Sequence, residues 1–422
     1  MRSFISVISA ILVLMSCLSG CGAARHQQSH PDSADANAKA KYIFLFIGDG
    51  MGASHIAVAE SYLSYKVGKL GGEELVMSQF PYYGMASTHS ANRNVTCSSA
   101  AGTAIACGVK ANNGTLGVDK DSVNVESVAT VLKREGYKVG ILTTVPINHA
   151  TPAAFYAHSV KRTDYYEISN DIPASGFDFF AGTGFLQFKG KDNDKESTED
   201  ILERNGYSVS YGIEEFRKES VGKEKVVFCQ AKNRGKSAGY YVSDGLENTG
   251  VESDDSADIT DATMAQMLEL ALEHFGDDEP FFIMGEGGII DWASHENRTM
   301  STVEEVLDFD AAIKVAYEFY EKHPDETLII VTADHETGGL TLGAGRATIN
   351  WKALEDQWIA SGKQNILDAA ANAELNKKCS IGWTTVKHAG GAVPVFSIGV
   401  GAEKFNGRID NTEIMGKILG EE

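Results

Sequence analysis

Asp, Glu and His residues stand just behind short apolar runs in this 422-residue chain. Asp49 follows the run 42–47. His149 and Thr151 come a few residues after 138–144. Glu286, Asp291 and His295 follow 281–284, and Asp334 and His335 follow 327–332. Unbroken apolar runs of this length read as buried parallel strands. Open α/β sheets bind ligands beyond the carboxyl ends of their strands, so these placements converge carboxylates and imidazoles on one rim. Four acids sharing a site would suffer large pKa shifts without cations, and a mixed Asp/His donor set suits zinc. Each element alone says little. Asp291 and His295 share one helical face at i, i+4, but exposed charged turns have the same spacing. Gly48-Asp49-Gly50-Met51-Gly52 lacks the G-x-G-x-x-G spacing, and its aspartate would repel a pyrophosphate, so a dinucleotide reading fails. His388, before Ala389-Gly390-Gly391, is by itself a common structural histidine. The argument rests on all of them occurring together.

A nucleophile is available as well. Residues 96–104 are a run of small side chains that reads as the opening of a helix. Alone, the run signifies close helix packing. Beside cations, a serine at a helix N-terminus gains partial positive charge and can be held as its alkoxide. Ser98 and Ser99 are the candidates.

The elements that must position these groups follow from pattern. Residues 126–135 form a helix that stops at Gly136. Residues 261–275 form another, buried through Met264, Met267, Leu268 and Leu272. The capping-box pattern Ser301-x-x-Glu304 opens a helix running to about residue 320. Residues 393–398 are a further strand. The alternation predicts an α/β fold with a mostly parallel central sheet and helices on both faces. The catalytic domain spans 41–420, with peripheral insertions near 189–256 and 343–386.

Composition narrows the class. A chain that is 43% hydrophobic with only 8 prolines is not disordered. A net charge of −21 argues against binding a nucleic acid duplex. It also means that any phosphate ester handled here needs local positive charge, and metal ions are a ready source. Residues 1–20 read as an export signal, with Arg2 before an apolar run too short to span a bilayer. Leu18-Ser19-Gly20-Cys21 resembles a bacterial lipobox, which predicts a lipid on Cys21 and a membrane-anchored protein in the periplasm or at the outer membrane. Ordinary secretory cleavage near the same point is the alternative. Residues 21–40 read as a flexible tether. Cys97, Cys107, Cys229 and Cys379 allow one or two disulfides of unassigned pairing.

Taken in order, the motifs resemble the alkaline phosphatase family of two-zinc, one-magnesium phosphomonoesterases. They are Ile47-Gly48-Asp49-Gly50-Met51-Gly52; Val95-Thr96-x-Ser98 with Thr103-Ala104 and 107–112; 149–153 with Arg162; Glu286-Gly287-Gly288 through Asp291-x-x-x-His295; 332–339; and His388-Ala389-Gly390. The resemblance covers 41–400. It implies that Asp291, His295 and His388 bind one zinc, and that Asp49, Asp334 and His335 bind the second with Ser98 as nucleophile. Asp49, Thr151 and Glu286 would bind magnesium, and Arg162 would grip two phosphate oxygens as a planar fork. Small phosphate monoesters would be hydrolysed through a phosphoserine. Two cations about 3.5–4 Å apart stabilise both the attacking and the leaving oxygen. The family is commonly dimeric, so a homodimer is the implied candidate assembly.

The chain departs from the family at Cys97, where many members carry an aspartate that helps hold the arginine. His149 and Trp292 occupy variable positions near the third metal, and an imidazole there favours zinc over magnesium. Two rivals are weighed. A sulfatase needs a C-x-P-S-R-like motif, which 97–101 lacks, and a phosphodiesterase has no need of a fork-like arginine. A non-catalytic metal- or phosphate-binding lipoprotein should have lost a ligand or the nucleophile, and every expected position is filled.

Overall fold

A strand without polar alternation is stable only where both of its faces are covered. All seven residues of β1 (Tyr42–Gly48) are buried. The computed structural model describes residues 39–234, 262–364 and 366–421. The expected signal, Cys21 and nearly all of the tether lie outside the described residues. Among those described, the further strands are β2 (Tyr82–Ser87), β3 (Lys138–Thr143), β4 (Phe179–Gly182), β5 (Tyr207–Tyr211), β6 (Lys225–Cys229), β7 (Phe281–Gly287), β8 (Thr327–Ala333), β9 (Glu336–Thr337), β10 (Leu340–Leu342), β11 (Ile381–Trp383), β12 (His388–Ala389), β13 (Val393–Gly399) and β14 (Gly407–Asp410).

Ten of these form one sheet in the order β14-β2-β13-β8-β1-β7-β3-β4-β6-β5. Its pairings are parallel except those of β13 with β8 and β2. The parallel strands β3, β7, β1 and β8 are adjacent, so Thr143, Glu286, Asp49 and Asp334 leave the sheet on one rim. The register is direct: Ile47 pairs with Glu286 and with Thr332, and Glu286 pairs with Thr143. Because β13 runs the other way, the chain enters it from that same rim, which brings His388 there.

Helices cover the sheet. The helix Thr299–Tyr320 packs Phe309 edge-on against Phe46 of β1 at 6.0 Å between ring centres. It begins two residues before the expected capping box, and Ser301 is buried inside its first turn. Tertiary ties set the start instead: Arg298 donates to Leu367 O at 2.6 Å and Thr299 to Asn376 Oδ1 at 2.8 Å. The helix Ser98–Cys107 opens after extended Cys97 and ends at left-handed Gly108 (φ 68°). Its small residues permit close approach, for a Cβ on Gly102 would lie 3.2 Å from Ala154 Cβ and 3.5 Å from Thr151 Cα. Close packing and function therefore use the same run of small residues.

The two segments read as insertions behave differently. Residues 189–234 add β5 and β6 to one edge of the central sheet, and the rest of the 189–256 span lies outside the described residues apart from that stretch. Residues 343–386 make two helices, Trp351–Ala360 and Ala369–Cys379, closed off by the β10–β11 pair. Trp351, Leu354, Trp358, Cys379 and Ile381 build a second core there with Val58, Tyr62, Met300 and Val303. The four cysteines that allowed one or two disulfides are all free. Cys97 caps the start of one helix and Cys107 ends it, which separates them by about 15 Å, and Cys229 and Cys379 lie in different cores. A disulfide needs Cα atoms within about 7 Å.

The loop after β3, which carries His149 and Thr151, is pinned by fully buried Asn148. The two amide N–H groups are shared among Tyr165 O, Ser169 Oγ and Leu186 O, each 2.9 Å from Nδ2, and its Oδ1 accepts from Leu186 N at 2.9 Å. Truncating this side chain strands several buried polar groups, at about 1–3 kcal/mol each. Asn148→Ala is therefore expected to lose about 4 kcal/mol of stability, read from urea unfolding. A loss within the scatter of surface substitutions would refute the role given to this loop.

Candidate active site

The rim gathers three groups of potential ligands. Asp291, His295 and His388 form one, Asp49, Asp334 and His335 a second, and Asp49, His149 and Glu286 a third, with donor atoms within 4.8 Å of one another in each. Asp49 belongs to two of them. The helix Ile289–His295 places Asp291 and His295 one turn apart, with His295 Nε2 3.3 Å from Asp291 Oδ2. His388 Nε2 lies 3.1 Å from His295 Nε2 and 3.7 Å from Asp291 Oδ1. His335 Nε2 lies 3.2 Å from Asp334 Oδ2 and 3.6 Å from Asp49 Oδ1. The His335 and His388 rings stack at 3.6 Å, so the first two groups are contiguous.

The outer nitrogens of two imidazoles are occupied. His295 Nδ1 donates to Val386 O at 2.8 Å, and His388 Nδ1 donates to Thr96 O at 2.9 Å. That choice of tautomer leaves both Nε2 lone pairs facing the centre, the usual arrangement around metal-ligating histidines. Thr143 donates to Glu286 Oε2. Thr337 donates to Asp291 Oδ1, and the same hydroxyl lies 3.3 Å from His335 Nδ1. Sequence reasoning missed Thr143 and Thr337 as supports. Thr143 ends a strand next to Glu286, a register that only the paired sheet reveals.

The remaining polar atoms ask for cations. Both oxygens of Asp49, Oε1 of Glu286, Oδ2 of Asp334, Oγ1 of Thr151 and Nδ1 of His149 are buried without a hydrogen-bond partner. Native proteins leave few such atoms unless an ion or water serves them. Burial drives the Asp49 carboxyl well above its ordinary range, and Asp334, Asp291 and Glu286 push it further. Burial also raises Glu286 and Asp334, each to about 7. For Asp291 burial acts the same way, but the His295 hydrogen bond and the His335 and His388 rings outweigh it and hold the carboxyl well below the usual range. The donor sets thus fit divalent cations in three adjacent positions.

Ser98 is the first residue of its helix, and its Oγ lies 3.3 Å from His335 Nε2. Ser99 faces away, with its hydroxyl 3.2 Å from Cys97 Sγ. Arg162 donates from Nη2 to His149 Nε2 at 3.3 Å. Burial, then the Arg162 charge, lowers the His149 pKa to about 3, so this ring is neutral. Among the described residues Arg162 makes no ion pair with a carboxylate, and the neighbouring Cys97 Sγ instead accepts from Gly114 N at 3.2 Å. Trp292 packs edge-on against His149 at 5.5 Å. An indole is a donor only, so Trp292 borders the third group without being able to ligate. Asp49, Ser98, His149, Arg162, Glu286, Asp291, Trp292, His295, Asp334, His335 and His388 thus lie together at this rim, with Thr151 beside Glu286.

Comparison with known proteins gives the same grouping. The family model described as alkaline phosphatase matches residues 40–184 and 246–420, and the stretch left out holds β5 and β6. The chain belongs to the alkaline phosphatase family. Alkaline phosphatase 4 of Bacillus subtilis is 33% identical over 99% of this chain and 97% of its own length. Alkaline phosphatase 3 of the same organism is 30% identical, over 89% and 87%. The solved alkaline phosphatase of the Antarctic bacterium TAB5 superposes with a TM-score of 0.70 at 31% identity, covering 90% of this chain and 97% of that one. The cold-active enzyme of a Shewanella species does so at 0.74 and 26%, covering 90% and 99%. The chain hydrolyses phosphate monoesters, and its rim holds candidate residue groups for the metals that the family typically uses.

In the metal-free alkaline phosphatase the raised carboxyls set a sign for stability. Glu286 and Asp334 stand at about 7 when folded, against 4.5 and 3.8 ordinarily. Between those limits the folded chain holds more protons than the unfolded one, so its stability falls as pH rises through the window. Cations replace the protons and remove the penalty. Chelator-treated protein is expected to melt at progressively lower temperature from about pH 5 to about pH 8, and zinc plus magnesium should abolish that trend. A flat profile without metal would count against the buried carboxyl cluster.

Proposed function

We propose that monoester hydrolysis here runs through Ser98 as nucleophile and Arg162 as phosphate clamp. In this reading Asp291, His295 and His388 hold one zinc, and Asp49, Asp334, His335 and Ser98 hold the second. Asp49, Thr151 and Glu286 hold magnesium, with His149 beside it. When bound, the cations neutralise the phosphate dianion and stabilise the oxygens that attack and leave. The observation that carries the reading is the set of buried, unpartnered oxygens on Asp49, Glu286, Asp334 and Thr151, next to a serine hydroxyl 3.3 Å from His335 Nε2.

The residues divide the work. Ser98 Oγ bonds to phosphorus as the ester's P–O bond breaks, which gives phosphoserine and an alcohol. Water then displaces the serine, releasing inorganic phosphate and restoring the hydroxyl. The N-terminus of the helix Ser98–Cys107 favours negative charge on that oxygen. Arg162 presents two parallel N–H donors to phosphate oxygens, and a monoester has free oxygens to accept both. His149 accepts one Arg162 N–H and so helps aim the fork. The amino-terminal pattern supports export and lipid attachment at Cys21, outside the cytoplasmic membrane.

The third position is mixed in chemistry. In the TAB5 enzyme, variants with one histidine replaced by aspartate or glutamate carry magnesium at the M3 site. Here His149 stands beside the corresponding donor set with its one lone pair, on Nε2, accepting from Arg162, so magnesium stays the assignment and an aspartate in its place would add an oxygen donor. His149→Asp is expected to raise the magnesium content and the magnesium dependence of turnover, measured by metal analysis and assay on a nitrophenyl monoester. Unchanged metal preference would refute this assignment. On the same substrate Ser98→Ala should abolish turnover, and Arg162→Ala should reduce it by about 10–100-fold. Full turnover in Ser98→Ala would show that the nucleophile lies elsewhere.

A further inference from the structure

The arginine fork must keep register with the serine, yet among the described residues no carboxylate pairs with it. Its backbone is held instead. Arg162 N donates to Gly114 O at 2.8 Å, and Leu116 and Ser159 exchange both backbone hydrogen bonds at 2.8 Å. A Cβ on Gly117 would lie 2.0 Å from Ala157 O, so the strip 113–117 is pressed onto the stretch leading to Arg162. The strip is also tied to the nucleophile's helix. Gly117 N donates to Thr103 Oγ1 at 3.0 Å, and Gly114 N donates to Cys97 Sγ at 3.2 Å.

Asn113 makes the tie next to the serine. Its Oδ1 accepts from Cys97 N at 3.2 Å, and its Nδ2 donates to Val95 O at 3.0 Å. Its own N–H donates to Asn92 Oδ1 at 3.0 Å. One side chain thus grips the two peptide groups on either side of Thr96, just before Ser98, while the next residue holds the backbone of Arg162. An amide can do this because it offers an acceptor and a donor on one rigid plane. The bland alternative is an ordinary loop-stabilising asparagine, which would act on stability alone.

We propose that Asn113 is a positioning residue: through the strip 113–117 it holds the Arg162 guanidinium in register with Ser98 Oγ. The inference rests on the reading of Ser98 and Arg162 given above. Asn113 touches no substrate. It sets the separation between two groups that do, and a displacement of about 1 Å can cost about 100-fold in rate.

The test is a double-mutant cycle on the metal-loaded full chain, with Asn113→Ala made alone and in an Arg162→Ala background. Turnover of a nitrophenyl monoester, inhibition by inorganic phosphate and metal content are read for each. Asn113→Ala is expected to lower kcat/KM by about 10–100-fold and to weaken phosphate inhibition, with metal content unmoved. In the Arg162→Ala background its further effect should nearly vanish. Equal losses in both backgrounds would overturn the proposal, as would wild-type phosphate inhibition in Asn113→Ala. Should Asn113→Ala not fold, Asn113→Asp serves in the same cycle. It keeps the acceptor for Cys97 N but loses the donor to Val95 O, so a smaller loss with the same non-additivity is expected, and additivity there refutes the idea equally. A wild-type-like Arg162→Ala enzyme would instead overturn the assignment of Arg162 as phosphate clamp and this proposal with it.

Discussion

Four carboxyl groups, those of Asp49, Glu286, Asp291 and Asp334, are buried within one cluster of a chain whose net charge is already −21. Each buried charge costs several kcal/mol unless it is paired. Asp291 is relieved by its imidazole neighbours, and the other three are left proton-holding or short of partners. The rest of the site answers to that constraint. Outer histidine nitrogens go to backbone carbonyls so that inner lone pairs converge, and Thr143 and Thr337 orient individual carboxylate oxygens. The cluster is costly without cations and a strong cation trap with them.

The sheet makes such a cluster possible. Adjacent parallel strands end together, so one polar residue at or just past the end of each of β3, β7, β1 and β8 falls on a common rim without any long loop. The single reversed strand, β13, adds the contribution from far down the chain by entering at that rim. Glycines supply the remaining room. Gly50 adopts φ 72°, and a Cβ there would lie 2.8 Å from Thr337 Oγ1 and 3.0 Å from Asp291 Oδ1. The tight turn expected at 48–52 is therefore also the gap through which Thr337 reaches Asp291.

The departure at Cys97 has a structural counterpart. Arg162 is placed by backbone pairing with the strip at Gly114 and by the His149 ring, rather than by an ion pair. Cys97 itself serves as an acceptor for Gly114 N and neighbours the Ser99 hydroxyl, so the thiol joins loops that an aspartate would have joined to the arginine.

Strand cores and the candidate donor residues at their ends were legible in the chain because they are local. An apolar run followed by Asp or His reads the same in any context, and β1, β3, β7 and β8 appear within a few residues of where pattern put them. The residue run left Ser98 and Ser99 open and the family resemblance favoured Ser98, whose hydroxyl the folded helix turns toward His335 while that of Ser99 meets Cys97. Tertiary contacts decided the rest. Ser301-x-x-Glu304 has a capping-box pattern, but Arg298 and Thr299 bind distant Leu367 and Asn376 and start the helix earlier. The direction of β13 and the joining of β5 and β6 to the sheet depend on which edges are free, and no residue pattern records that. Thr143, Thr337 and Asn113 are polar residues of ordinary type. What each one does is set by the atom it meets across 143, 46 or 16 residues of chain, a distance that composition and spacing do not span.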